Sequence, residues 1–124
     1  MNKNIINVHN EYKNAENKFL NSDWDGTIIS IRKSYEKLLN CFKKIYIDEK
    51  GFRAKIKTFS KEILEPEIGE TKANMISQMM ISQIDLLNSV AHSSHPINRS
   101  TASLTLKEAS IIFSYIIDSI EPKH

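Results

Sequence analysis

The run Trp24-Asp25-Gly26-Thr27-Ile28-Ile29-Ser30-Ile31-Arg32-Lys33-Ser34-Tyr35-Glu36-Lys37-Leu38-Leu39-Asn40-Cys41-Phe42-Lys43-Lys44-Ile45-Tyr46-Ile47 decides the fold. Its large apolar residues Ile28, Ile31, Tyr35, Leu38, Phe42 and Ile45 recur at spacings of 3, 4, 3, 4 and 3. Those intervals line one face of a helix of 3.6 residues per turn, whereas a strand would alternate. Just upstream, Ser22, Asp23 and Asp25 offer side-chain oxygens to the first free backbone N–H groups, and Gly26 falls in the first turn. The pattern predicts an amphipathic helix over 24–47.

Working outward, Asp48 to Gly51 break the pattern, and Phe52, Ile56, Phe59 and Ile63 resume it at 4, 3 and 4 until Pro66 and Gly69. Thr71 can cap a third helix over 72–92, whose apolar face holds Met75, Ile76, Met79, Met80, Leu86, Leu87 and Val90. Met75, Met79 and Met80 read as core filler. Residues 93–102 read as a polar loop, and Thr105 with Glu108 fits a capping box for a last helix. That helix carries Leu106, Ala109, Phe113, Ile116, Ile117 and Ile120, and Pro122 closes it. At the other end, residues 2–21 carry a thinner helical pattern (Ile5, Ile6, His9, Tyr12, Glu16, Phe19, Leu20). No strand alternation, internal repeat or low-complexity tract competes. The expected architecture is all-α: an antiparallel four-helix bundle over 23–124, preceded by an N-terminal helical arm over 1–22.

Composition agrees. The chain has 124 residues, is 40% apolar and 26% charged, and has only 3 Gly and 3 Pro, too few for turn-rich β folds. Its 19 Ile, 14 Lys and 11 Asn, against 2 Val, fit AT-rich coding. With one cysteine, Cys41, neither an intrachain disulfide nor a cysteine metal cluster can form. Cys41 lies beside Phe42 in an apolar helix and reads as a quiet core thiol. No apolar run approaches the roughly 18 residues of a membrane span, and the start lacks a secretory h-region, so a soluble, cytoplasmic chain is expected.

A net charge of +2 gives no strong pull on nucleic acid. The charge is segregated, however: residues 32–61 carry ten basic and three acidic side chains, and residues 62–90 carry one basic and five acidic. The basic stretch fits a phosphate backbone, and it also fits the solvated outer face of a bundle.

The chemistry-bearing residues are sparse. Of His9, His92, His95 and His124, only His92 and His95 are close in sequence, and no carboxylate or thiol falls at a matching short spacing, so no metal is expected. Asp85, Asn88, Ser89 and His92 share one helical face, which Gln78 and Ser82 extend, with Arg99 beyond the loop. Such a stripe ending in histidine suits an acid–base site, and it is also what the solvent face of any amphipathic helix looks like. Arg32 and Glu36, at i and i+4, form either an exposed ion pair or a groove-lining arginine held by its neighbour. There is no glycine-rich phosphate loop and no nucleophile elbow, and no cofactor is expected.

Two segments carry a family resemblance. Ser30-Ile31-Arg32-Lys33-Ser34-Tyr35-Glu36-Lys37-Leu38-Leu39 resembles the A-R-x-x-x-E helix of abortive-infection C-terminal domains. Leu87-Asn88-Ser89-Val90-Ala91-His92-Ser93, followed by a polar loop and an apolar last helix, resembles the R-N-x-x-A-H-G segment of HEPN-type domains. Together the likeness spans residues 23–121. It implies a helical bundle, usually homodimeric, from a prokaryotic phage-defence or toxin system. In active HEPN members an Arg and a His cut RNA without metal. On that likeness His92 is the acid–base, and Asn88 is the asparagine that follows the arginine. The arginine itself has no counterpart: positions 85, 86 and 87 hold Asp, Leu and Leu.

The expectation is therefore a HEPN-like domain that does not catalyse but dimerises and binds RNA or a partner protein, with Lys33, Lys37, Lys43, Lys44 and Arg99 as phosphate contacts. The alternatives are a metal-independent endoribonuclease using His92 with a displaced arginine, such as Arg32 or Arg99, and a structural bundle unrelated to HEPN.

Overall fold

The computed structural model describes residues 3–46, 50–90 and 96–120, and these are all-helical, without strands. The helices are α1 (Lys3–Leu20), α2 (Trp24–Asn40), α3 (Phe52–Phe59), α4 (Glu65–Ile68), α5 (Glu70–Val90) and α6 (Arg99–Ile120). A 3-10 turn (Lys43–Ile45) follows α2, and a π-helical turn (Ser60–Leu64) joins α3 to α4. No described helix is long and apolar enough to cross a membrane.

The decisive stretch forms the central helix. α2 touches α1, α3, α5 and α6, and buries Thr27, Ile28, Ser30, Ile31, Ser34, Tyr35, Leu38 and Leu39. Asp23 caps it, its Oδ1 accepting from the Gly26 N–H at 2.9 Å. Two buried hydroxyls are satisfied by the backbone one turn back: Thr27 Oγ1 donates to the Asp23 carbonyl and Ser34 Oγ to the Ser30 carbonyl. α2 ends seven residues before the predicted limit. The chain tightens at Cys41 and Phe42, where the Phe42 N–H bonds the Leu39 carbonyl, three residues back. Phe42 and Ile45 still pack against the core, so the apolar period outlasts the α-helix that it suggested.

α1 and α2 form a helical hairpin through Asn21–Asp23, the most extensive helix pair in the molecule. Ile5, Val8 and Ala15 of α1 are core residues, with Tyr12 packed against them. That stripe differs from the one read in the sequence: Ile6 and Leu20 are exposed.

The sequence pattern reads Phe52, Ile56, Phe59 and Ile63 as one helix ended by Pro66 and Gly69, and Ile56, Phe59 and Ile63 are buried as expected. The backbone is not uniform. Across the π turn the Glu65 N–H reaches the Ser60 carbonyl, five residues back. Pro66 explains the widening: its ring would collide with the carbonyl four residues upstream in a regular α-helix. Pro66 thus sits in the first turn of α4 rather than ending a helix, and Gly69 makes the break.

Two helix starts depart from expectation. α5 begins at Glu70, after Gly69, with the Ala73 N–H bonding the Gly69 carbonyl. α6 begins at Arg99, inside the predicted loop, where Asn98 Oδ1 accepts from the Thr101 N–H at 2.8 Å. Thr105 is therefore no cap. It is buried mid-helix, and its hydroxyl donates to the Thr101 carbonyl. Of the three methionines on α5, Met80 is buried, Met79 is half-buried and Met75 is 53% exposed, so Met75 is not core filler.

One polar link crosses the core. Gln83 is 3% exposed; its Oε1 accepts from the Tyr35 hydroxyl, and its Nε2 donates to the Thr105 carbonyl at 3.0 Å. It joins α2, α5 and α6 where apolar packing alone would leave their register free.

Candidate nucleic-acid interface

The basic stretch emerges on three successive elements. On α2, Lys33 and Lys37 are exposed one turn apart, because the buried face of that helix leaves their side free. The 3-10 turn exposes Lys43 and Lys44, and α3 with the π turn exposes Arg53, Lys57 and Lys61. Among the described residues the ion pairs are Lys18–Asp23, Arg32–Glu36 and Arg53–Asp85. Among the described residues Lys33, Lys37, Lys43 and Lys44 make none, and all four are exposed.

Lys57 and Lys61 differ. They line a groove of about 440 Å³ with Glu65, Glu70, Ser60, Ser77 and neighbours. There the basic and acidic segments meet, and two carboxylates line the same groove as the two ammonium groups without forming an ion pair. That groove therefore carries both signs of charge, whereas the lysines of α2 and the 3-10 turn lie outside its lining.

Arg32 is an exposed ion pair with Glu36, at 3.9 Å, and its guanidinium also lies over the Phe52 ring, 5.6 Å from the centroid. A pair this exposed contributes roughly 0–1 kcal/mol. The aromatic contact adds orientation, fixing Arg32 beside the start of α3. Arg53, the next residue along, reaches α5, its Nη2 lying 2.5 Å from Asp85 Oδ2. Asn88 is exposed one turn beyond Asp85, and Ser89 spends its hydroxyl on the Leu86 carbonyl. Arg32 thus lies at the start of α3, and Arg53 links α3 to Asp85 of α5. Arg99 does not join them: its guanidinium lies 5.9 Å from the Phe19 ring, at the end of α1. His92 and His95 lie outside the described residues.

Arg53 is the residue that sequence reasoning missed at this site. Its partner is 32 residues away, and no local spacing announces such a pair. Among the described residues no group of three or more His, Cys, Asp or Glu is placed to hold a metal ion. Cys41 is half-buried, and its thiol donates to the Lys37 carbonyl at 3.3 Å. Burial pushes its pKa up, the opposite of what a nucleophilic thiol needs. No family model, curated protein or solved structure matches the chain.

Proposed function

We propose that this chain is a HEPN-like helical domain, an antiparallel four-helix bundle with an added N-terminal helix, that works in the cytoplasm of a prokaryotic phage-defence or stress system. It does not catalyse. It forms a homodimer and binds RNA through Lys33, Lys37, Lys43 and Lys44. The observation that carries the RNA reading is that these four ammonium groups are exposed on consecutive elements and make no ion pair among the described residues. A polyanion gains by releasing counterions to such a surface, whereas paired charges yield little.

Fluorescence anisotropy with single-stranded RNA, repeated across salt concentrations, tests this. Four phosphate contacts predict a log–log slope of about −3, at roughly −0.7 per contact. Absence of binding at low salt overturns the RNA reading and turns attention to a partner protein.

A second reading, the metal-independent endoribonuclease, is favoured by the Arg53–Asp85 contact. Asp85 occupies a position where the family resemblance calls for the motif arginine, six residues intervening before His92. Arg53 brings a guanidinium to that position from α3. In this reading His92 takes the 2′-hydroxyl proton, the 2′-oxygen bonds to phosphorus as the bond to the 5′-oxygen breaks, the leaving 5′-oxygen takes a proton from water, and Arg53 stabilises the charge that develops on the non-bridging oxygens. RNA cleavage in EDTA by wild type, abolished by both His92→Ala and Arg53→Ala, would establish it over the non-catalytic reading. No cleavage by wild type rejects it.

A further inference from the structure

α6 exposes a regular stripe. Leu104, Lys107, Ile111, Ser114 and Asp118 are all exposed, at spacings of 3, 4, 3 and 4. Leu104 is 59% exposed and Ile111 64%. Those spacings are the a and d positions of a coiled-coil seam, the face that meets a second helix. The opposite face of the same helix is already committed, since Ala102, Thr105, Ala109, Ile112, Phe113, Ile116, Ile117 and Ile120 are buried within the chain. The remaining exposed large apolar side chains, Ile6, Leu20, Ile29 and Met75, are scattered over three helices with no two closer than 14 residues on one helix.

We infer that this stripe is the surface through which two copies of the chain associate, α6 against α6, antiparallel about a two-fold axis. The inference rests on the dimeric part of the reading above and gives it a location. Charge selects the occupant. When Lys107 faces Asp118 of the other copy, the two-fold axis generates the same pair a second time. In that register Ile111 faces Ser114 of the other copy, at the two layers closest to the axis. Both layers pair an a position with a d position, as antiparallel helices require. The large Ile111 side chain meets a small one, so the helices approach closely. A foreign helix would have to supply the complementary charges at the same spacing, whereas a second copy has them by construction.

The seam from Leu104 to Asp118 is about 21 Å long. An interface built on one helix pair of that length falls below the roughly 1,200 Å² of stable complexes, so association is concentration-dependent.

Sedimentation equilibrium from micromolar to millimolar protein tests the inference. The wild type is expected to dimerise reversibly. Ile111→Glu is expected to leave a monomer, with helix content unchanged and, at concentrations where the wild type is itself monomeric, the same thermal midpoint, because the side chain is exposed. Lys107→Glu and Asp118→Lys are each expected to weaken the dimer by about tenfold or more, since each places like charges together twice. The double variant Lys107→Glu/Asp118→Lys restores the opposite-sign pairing and is expected to recover wild-type association. A wild type that dimerises, with all these variants dimerising equally well, overturns the α6 surface and leaves the dimer reading intact. A wild type that stays monomeric at millimolar concentration overturns both.

Discussion

Tyr35 is fully buried in the core, its ring tilted 54° against that of Phe113 with centroids 4.6 Å apart, its hydroxyl committed to Gln83. Burial, with a smaller contribution from the Glu108 charge, holds its pKa well above the ordinary tyrosine range near 10. The consequence has a definite sign. Below about pH 10 the phenol is protonated in both folded and unfolded chains; above it the unfolded chain releases the proton and the folded one retains it. Stability therefore falls as pH rises past 10. Tyr35→Phe abolishes this component but leaves the Gln83 oxygen unpaired, at a cost of about 1–3 kcal/mol at neutral pH. Urea denaturation at neutral pH and above pH 10 should show the gap between wild type and variant closing in alkali. At Cys41 the raised pKa predicts slower alkylation by iodoacetamide at neutral pH than that of glutathione, measured by mass spectrometry. Neither Tyr35 nor Gln83 stands out in the sequence as a pair, because 48 residues separate them.

At the scale of elements, caps and turns decide where helices begin. Asn98 satisfies the first turn of α6, so Asn98→Ala should cost about 1 kcal/mol in a thermal or urea melt. Thr105, which sequence spacing offered as the cap, hides the true start because Arg-Ser-Thr-Ala reads as polar loop while Ala102 is buried. The same limit applies downstream of α2. The 3-4 period is a statement about which side chains are buried, and Phe42 and Ile45 obey it from a 3-10 turn. Gly51 and Gly69, ahead of α3 and α5, have φ of +82° and +87° with ψ of 161°, a conformation essentially closed to residues with a Cβ. Nothing lies within 4 Å of a Cβ added at either, so backbone strain alone opposes it. Gly51→Ala and Gly69→Ala should each lower unfolding free energy by about 1–3 kcal/mol.

Across the described residues, burial on α2 and α3 followed the amphipathic pattern, on α1 and at Met75 it did not, and charge placement was not legible at all. That Ile28, Ile31, Tyr35 and Leu38 face one core is legible from spacing alone. Which lysines lie beside carboxylates is not, because folding brings the carboxylates close. Lys57 and Lys61 share a groove with Glu65 and Glu70, and Lys43 and Lys44 do not. Lys43→Ala/Lys44→Ala should thus reduce the salt slope of RNA binding by about 1.4, while Lys57→Ala/Lys61→Ala should change it far less. Titrations of the two double variants against the same RNA compare them directly. The candidate site was half legible: Arg32, Asn88 and the lysines are named by motif and charge, whereas Arg53 enters only through a contact between distant segments.

The glycines also bear on how the gene can change. Glycine codons open with two guanines, and a coding sequence rich in Ile, Lys and Asn tends to lose them. Three remain. At Gly26 a Cβ would strike the Asp23 carboxylate that caps α2, and at Gly51 and Gly69 the backbone itself excludes one. In a library of every single substitution, replacement at Gly26 should cost the Asp23 cap, whereas Gly51 and Gly69 should be poorly replaceable although both lie at the exposed surface. Mutational pressure toward A and T meets a fixed point at each, and the boundaries of the 52–68 segment stay where they are while the residues between them drift.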